Sequence, residues 1–433
     1  MKTPVAIIGG GPAGSASAMG LRAHGIDCVI IEKDVFPRYH IGESTTGECG
    51  NCIRALGLED EMNRRKFPIK RAAAIFGAGG TKWALDVASR DKDWNLFKQN
   101  TWQVRRDEFD KMMLDTAIAR GTDFIHGQVT APILDDDGAV CGLKVRAADG
   151  GAIDIQTEMV LDCSGQHTYL ANLGVTGPKF VGNYDNQMAM FSRVAGTVRD
   201  DTQGDTLIFY QKKFHWAFFI PLTDDVVSVG VISPAAYFKG KRESKTDFLQ
   251  RELHDLNPEL KRRVPDRKLL EPVRSIANYS YQTYRFSGKG FICVGDAHRF
   301  VDPIYSFGLC VSLKEAQAAS SAVKDYLNGK GRDDERPFAA YEIERERGID
   351  VVEDMMDSFW EHPFHFAKIV HDYRDEMVDI FAGRLWERQP SAALKKLRGL
   401  TKRERSYDDK LTEPAGSRYH PERAEIWVEE AVV

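Results

Sequence analysis

Gly9-Gly10-Gly11-Pro12-Ala13-Gly14 carries the spacing G-x-G-x-x-G, and each glycine has a physical task. The first permits a tight turn, the second lets a phosphate approach the backbone, and the third lets a helix pack close to a sheet. Val5–Ile8 before it reads as a buried strand, Pro12–His24 after it as a helix, and Cys28–Glu32 as the next strand. The helix start offers free N–H groups and a positive dipole end to a pyrophosphate. Glu32, closing the second strand, is placed to accept ribose hydroxyls. The segment therefore reads as a dinucleotide site, and taken alone it suits NAD and FAD equally.

Other reactive types are sparser. Seven cysteines, an odd number spread over the chain, indicate reduced thiols. Cys49-x-x-Cys52 is either a redox dithiol or two cysteines on one helix, and no second pair completes a zinc site. His362 and His365 stand three apart without a carboxylate partner, a poor metal site, so no metal is expected. Lys395-Lys396-x-Arg398 and Lys402-Arg403-x-Arg405 form a basic run. It is a solvated helix face or a docking patch for an acidic acyl carrier protein.

The chain that must position these groups has 433 residues, 42% hydrophobic and 28% charged, enough for two or three domains. A net charge of −5 gives no general attraction to nucleic acid or anionic membrane. No apolar run approaches the roughly 20 residues of a membrane span, and the N-terminus lacks signal-peptide character, so a cytoplasmic protein is expected. Asp107–Arg120 is an amphipathic helix stopped by Gly121. Short strands with Asp/Gly turns fill 124–162. Met188–Val194, Thr206–Tyr210, His215–Pro221 and Val226–Ile232 read as a four-stranded antiparallel meander, a wall for a substrate. Beyond Lys314 the pattern is helical.

Downstream segments narrow the cofactor. Phe291–Val294 leads into Gly295-Asp296, which resembles the Gly-Asp signature of flavoproteins related to p-hydroxybenzoate hydroxylase. Asp302-Pro303 with Gly308-Leu309 at a helix start, Val104-x-Arg106-x-x-Phe109-Asp110, and Asp162-x-Ser164-Gly165 match further segments of that family. The resemblance implies bound FAD, with Asp296 on its sugar-alcohol chain and the Gly308 helix start at the flavin ring edge. It implies an α/β fold: a Rossmann-like FAD-binding domain from 1–66, 100–175 and 285–320, an antiparallel-sheet substrate domain from 67–99 and 176–284, and a helical C-terminal section, 321–433. The cofactor contacts it implies are Gly9, Gly11, Pro12, Ala13, Gly14, Glu32, Lys33, Arg38, Ser44, Arg106, Asp162, Gly165, Gly295, Asp296, Asp302, Pro303, Gly308 and Leu309.

Within that superfamily the chain resembles flavin-dependent halogenases acting on phenols or carrier-bound pyrroles. Arg38–Ser44 resembles their G-E-S segment, Trp216–Pro221 their W-x-W-x-I-P signature, and Phe300–Ser306 the segment after Gly-Asp. Phe67-Pro68-Ile69-Lys70 falls where they carry an essential lysine. The resemblance implies that a separate reductase supplies FADH2, that O2 gives a flavin hydroperoxide, and that chloride or bromide converts it to hypohalous acid. A lysine then activates the halogen for an electron-rich ring, free or tethered to an acyl carrier protein. The implied catalytic set is Lys70, Trp216, Phe218 and Ser306, with Lys82 a competing lysine. Two positions depart from the pattern: Phe218 replaces the second tryptophan, and Phe307 a small residue. They leave open an FAD-dependent aromatic monooxygenase on the same scaffold, beside a geranylgeranyl-reductase-like enzyme and a flavin-binding protein without turnover.

Overall fold

The computed structural model describes residues 1–182, 184, 186–387 and 391–401. Across them the chain passes twice between two sheets. It opens with β1 (Val5–Ile8), α1 (Pro12–Ala23) and β2 (Cys28–Glu32), and β1 and β2 pair in parallel. Both strands are apolar almost throughout and buried on both faces, as a central parallel strand must be. After α2 (Gly47–Ala55) the chain enters the second sheet with β3 (Ala72–Phe76) and β4 (Lys82–Asp86). It returns through α3 (Arg106–Ala119), β5 (Asp123–Leu134), β6 (Val140–Ala147), β7 (Ala152–Gln156) and β8 (Met159–Asp162). Gly121, at φ +90°, turns the chain out of α3 as a left-handed terminus requires.

The second visit supplies β9 (Gln187–Ala195), β10 (Thr206–Lys212), β11 (His215–Pro221) and β12 (Val227–Pro234), followed by α4 (Lys245–Asp255). The chain then adds β13 (Phe291–Cys293) to the first sheet and runs out as helices: α5 (Gly308–Leu327), α6 (Ala339–Glu361), α7 (Pro363–Asp372), α8 (Arg374–Ala382) and α9 (Ala392–Thr401). The first sheet is ordered β7-β6-β5-β2-β1-β8-β13, with Ser287–Gly288 at its far edge. Its centre is parallel and its β5–β7 flank antiparallel.

The four strands expected as a meander are connected differently. β10, β11 and β12 do form one, but β9 pairs with β12 instead of β10. Tight turns join β10 to β11 and β11 to β12, whereas the link across 196–205 is long enough to carry the chain over the sheet. β10 is thereby left an open edge, and β3 fills it in parallel, Thr206 opposite Ala73. The sheet is otherwise antiparallel.

Alternation along these strands builds two different faces. Leu207, Phe209, Ala217, Phe219, Val229 and Val231 pack under α4 on Phe248, Leu249 and Leu253. Ile208, Trp216, Phe218 and Ile232 point the other way, toward Met355, Met356, Phe359 and Trp360 of α6. No helix among the described residues is long and apolar enough to cross a membrane. Leu253 is fully buried, so Leu253→Ala is expected to lower unfolding free energy by about 2–5 kcal/mol, read as a fall in the urea midpoint at unchanged slope.

Candidate functional site

The opening turn is held by contacts that admit no side chain. A Cβ on Gly14 would lie 2.0 Å from the Gly9 carbonyl oxygen, and one on Gly9 would lie 2.6 Å from the Cys163 oxygen. Pro12 opens α1 and Gly11 caps it without a side chain, leaving the Ala13 and Gly14 N–H groups facing outward from the helix start. Glu32 accepts from Gly10 N at 2.7 Å and from Asp34 N at 2.8 Å, so its carboxylate shapes the turn. Lys33 is exposed, its Nζ 3.1 Å from His167 Nε2.

Above this turn stands an ion cluster. Asp110 is fully buried and accepts from Arg38 Nη1 at 2.9 Å and from Arg106 Nε and Nη2 at 2.7 and 3.0 Å. Arg106 also donates to the Ile41 carbonyl at 2.6 Å. A methyl on Gly11 would come within 3.3 Å of the Arg38 guanidinium, which puts that charge over the cradle. Asp110 was visible in the sequence only as part of the Val104–Asp110 segment. Its spacing one helical turn after Arg106 was the signal for the pairing.

At the end of β13 the chain turns at Gly295, φ +66°, where a Cβ would sit 2.5 Å from Ser312 Oγ. Glu315 accepts from Gly295 N at 2.7 Å and bonds His298 Nδ1 at 2.9 Å. The Asp296 carboxylate takes no hydrogen bond from the described residues, and burial pushes it up to about 7 against the pull of Arg106. An acceptor half withdrawn from water beside a glycine cradle suits a polyhydroxylated chain. These residues fit FAD.

Three expected cofactor residues are engaged elsewhere through their side chains. Asp162 accepts from Ser164 N at 3.0 Å and Leu170 N at 2.7 Å, fixing the loop through Gly165, φ +65°. Asp302 Oδ1 accepts from Ile304 N at 2.9 Å, and burial pushes its carboxyl up to about 7. Pro303 accepts from Ser306 N at 3.0 Å, bending the chain into Gly308 and Leu309 at the start of α5. Ser44 turns its hydroxyl to Lys70.

Lys70 lies in a two-residue strand paired with Thr101–Trp102 and is 5% exposed. Its Nζ donates to Ser44 Oγ at 2.9 Å and to the Thr45 carbonyl at 2.8 Å. Ser44 Oγ is 2.6 Å from Thr206 Oγ1, which accepts from Gln103 Nε2 at 2.9 Å. Two acceptors thus serve three N–H groups. Burial pulls the ammonium down to about 8, with Asp205 and then Cys49 opposing. Lys70 lines an open cavity together with, among others, Thr46, Trp83, Thr206, Tyr305 and Ser306. Lys82 is exposed on β4 with its Nζ 5.4 Å above the Phe76 ring, away from this cavity.

Trp216 is 2% exposed, its ring 6.4 Å from that of Phe218. Phe218 pairs across the sheet with Gly230, where a Cβ would lie 2.4 Å from the Phe218 ring. Phe307 is buried in the same aromatic layer as Tyr305 and Trp216. Both departures from the signature are therefore filled positions of a packed wall. Tyr305 stacks edge-on against Phe359 and Phe381 at 5.6 and 5.0 Å, tying the cavity to α6 and α8. Among the described residues no group of His, Cys, Asp and Glu could hold a metal. Lys395 and Lys396 are exposed and Arg398 pairs with Asp354 at 2.7 Å, while Lys402, Arg403 and Arg405 lie outside the described residues.

The family model described as "FAD binding domain" matches residues 2–357. A 1H-pyrrole-2-carbonyl-(peptidyl-carrier protein) brominase from Pseudoalteromonas luteoviolacea is 33% identical over 383 residues, 88% of this chain and 91% of that one. The corresponding chlorinase from Pseudomonas fluorescens is 27% identical over 428 residues, 91% and 92% of the two chains. The solved structure of the flavin-dependent brominase Bmp2 superposes with a TM-score of 0.86 at 32% identity, covering 93% of this chain and 98% of its own. With the glycine cradle, the Gly-Asp turn and a buried lysine joined in one molecule, the chain belongs to the flavin-dependent halogenases of the FAD-binding superfamily.

Proposed function

We propose that this halogenase acts on a pyrrole held as a thioester on a carrier protein, with Lys70 as the residue that delivers the halogen. The observation that carries the reading is a desolvated ammonium that makes no ion pair among the described residues and stands on the wall of an aromatic-lined cavity. Support for the substrate class comes from the two pyrrolyl-carrier relatives, each matched over most of its length. FAD, reduced by a separate reductase, supplies hypohalous acid from O2 and halide when bound. Arg38 and the α1 start would hold its pyrophosphate, and Asp296 would accept from its sugar hydroxyls.

The chain's own part follows from Lys70. Its third N–H donates to the hypohalous oxygen and polarises the halogen. A ring carbon attacks the halogen, the oxygen–halogen bond breaks, and the oxygen leaves as water with the lysine proton. The proton displaced from the ring restores the ammonium. Burial suits this exchange, because a lysine drawn down toward neutrality releases its proton readily, and arginine does not. Trp216 and Phe218 wall the ring away from the flavin side, and the Ser306 turn narrows the passage between the two.

Bromination of a carrier-bound pyrrole, followed by mass spectrometry, is expected in wild type and to fall at least about 100-fold in both Lys70→Ala and Lys70→Arg, with FAD content unchanged. Retention of activity in Lys70→Arg would sink the proton-transfer role. Since the acid form of Lys70 is required, turnover should decline as pH rises through about 8; a decline that persists in the residual activity of Lys70→Ala belongs to another group. Asp110→Asn removes the carboxylate shared by the buried Arg106 and the half-buried Arg38, so the FAD dissociation constant, followed by flavin fluorescence, should rise about tenfold or more.

A further inference from the structure

Cys49 and Cys52, which the sequence leaves as either a redox dithiol or two cysteines on one helix, lie on α2, whose start forms part of the cavity wall. α2 starts in the cavity wall: Thr46 and Gly47 line it. Thr46 Oγ1 accepts from Cys49 N at 3.4 Å, and Thr45, one residue earlier, gives its carbonyl to Lys70. Cys49 is fully buried, and its thiol and the Lys70 ammonium influence each other's charge. Cys52 lies one helical turn further along α2, 8% exposed. Cys310 of α5 completes the group, its Sγ 3.9 Å from the Gly383 carbonyl, beside the cavity residue Ala382. All three thiols are free. The three form a soft, oxidisable layer one residue deep behind the point where the electrophile is delivered.

We infer that Cys49 is a modification site, an internal trap for hypohalous acid made when no organic substrate fills the cavity, and that Cys52 resolves it as a disulfide. The inference rests on the halogenase reading, which supplies the oxidant. Sulfur of Cys49 attacks the halogen, the sulfur–halogen bond forms, the halogen–oxygen bond breaks, and the thiol proton leaves with hydroxide as water. Sulfur of Cys52 then displaces halide: the disulfide forms, the sulfur–halogen bond breaks, and a proton and halide ion depart. Two thiols lose two electrons, and hypohalous acid is reduced to halide and water. Residues three apart on a helix hold their Cβ atoms about 5–6 Å apart, wider than a disulfide's roughly 3.5–4.5 Å. Closure therefore tightens the first turn of α2, which carries Thr45 and the Lys70 acceptor with it. Burial pushes the Cys49 thiol up, so it reacts as a thiol and only with oxidant released at close range.

The test uses the full chain with FAD, a flavin reductase, NADH, O2, bromide and catalase, without organic substrate. After alkylation and trypsin, Tyr39–Arg54 carries both cysteines and no methionine. That peptide should appear as an internal disulfide, two hydrogens lighter, at least about fivefold more with bromide than without. Saturating carrier-bound pyrrole should suppress it, and the accompanying loss of pyrrole bromination should return on adding dithiothreitol. Cys49→Ser should abolish the species; Cys52→Ala should leave dimedone-trappable sulfenic acid at Cys49 and covers the case in which Cys49→Ser does not fold. A reduced Tyr39–Arg54 beside oxidised methionine or Cys141 overturns the inference, as does equal oxidation without bromide. Failure to brominate the carrier-bound pyrrole at all overturns the proposed function and this inference with it. Normal bromination with unmodified Cys49 overturns this inference alone.

Discussion

A lysine ammonium drawn out of water, with no carboxylate in contact with it among the described residues, is the constraint around which the site is built. Such a charge is costly to bury, and the cost is met by fixed dipoles instead of a carboxylate: the Ser44 hydroxyl, the Thr45 carbonyl, and behind them Thr206 and Gln103. A paired carboxylate would hold the ammonium protonated at all working pH and occupy the N–H that must reach the cavity. The parallel pairing of β3 with β10 brings Thr206 to this cluster, and the Ile69–Lys70 ribbon fixes the lysine's direction. Sheet topology and proton chemistry are thus one problem at this position.

Much of this was legible in the chain, for identifiable reasons. The turn at Gly9–Gly14 is local: strand, glycines and helix follow within one βαβ unit, so spacing alone carries the geometry. Gly295-Asp296 and the Gly308 helix start are similarly short-range signals. The β9–β12 order was not legible, because alternation marks strands and faces but carries no information on which neighbour a strand chooses. The partners of Lys70 were hidden for the same reason, since Ser44, Gln103 and Thr206 meet it only through non-local pairing. Ser44, Asp162 and Asp302 show a further limit: a motif locates a segment at a cofactor site without saying which way its side chain turns.

Phe218 shows how a departure from a motif is absorbed. Viewed along the sequence, a smaller ring in place of an indole suggests an opened wall. Across the sheet the residue opposite is Gly230, whose missing side chain is the space the phenyl ring fills. The phenyl ring and the glycine opposite it are fitted to each other across two strands, which no single-position comparison detects. Phe307 is buried in the same apolar cluster as Trp216 and the α6 residues.

The order in which the chain builds its sheets has a consequence for synthesis. β1 and the Gly9–Gly14 turn leave the ribosome well before β13, which completes the sheet they open, and the Asp296 turn follows β13. Two excursions into the other sheet lie between. The nascent cradle therefore has its Gly9–Gly14 half long before its Gly295-Asp296 half. During that interval the apolar edge of β8 is exposed and has no partner from its own chain, the condition in which a large α/β protein is most open to misassociation. Flavin can lock the fold only as a late event, after α5 has brought Glu315 to the Gly295 turn.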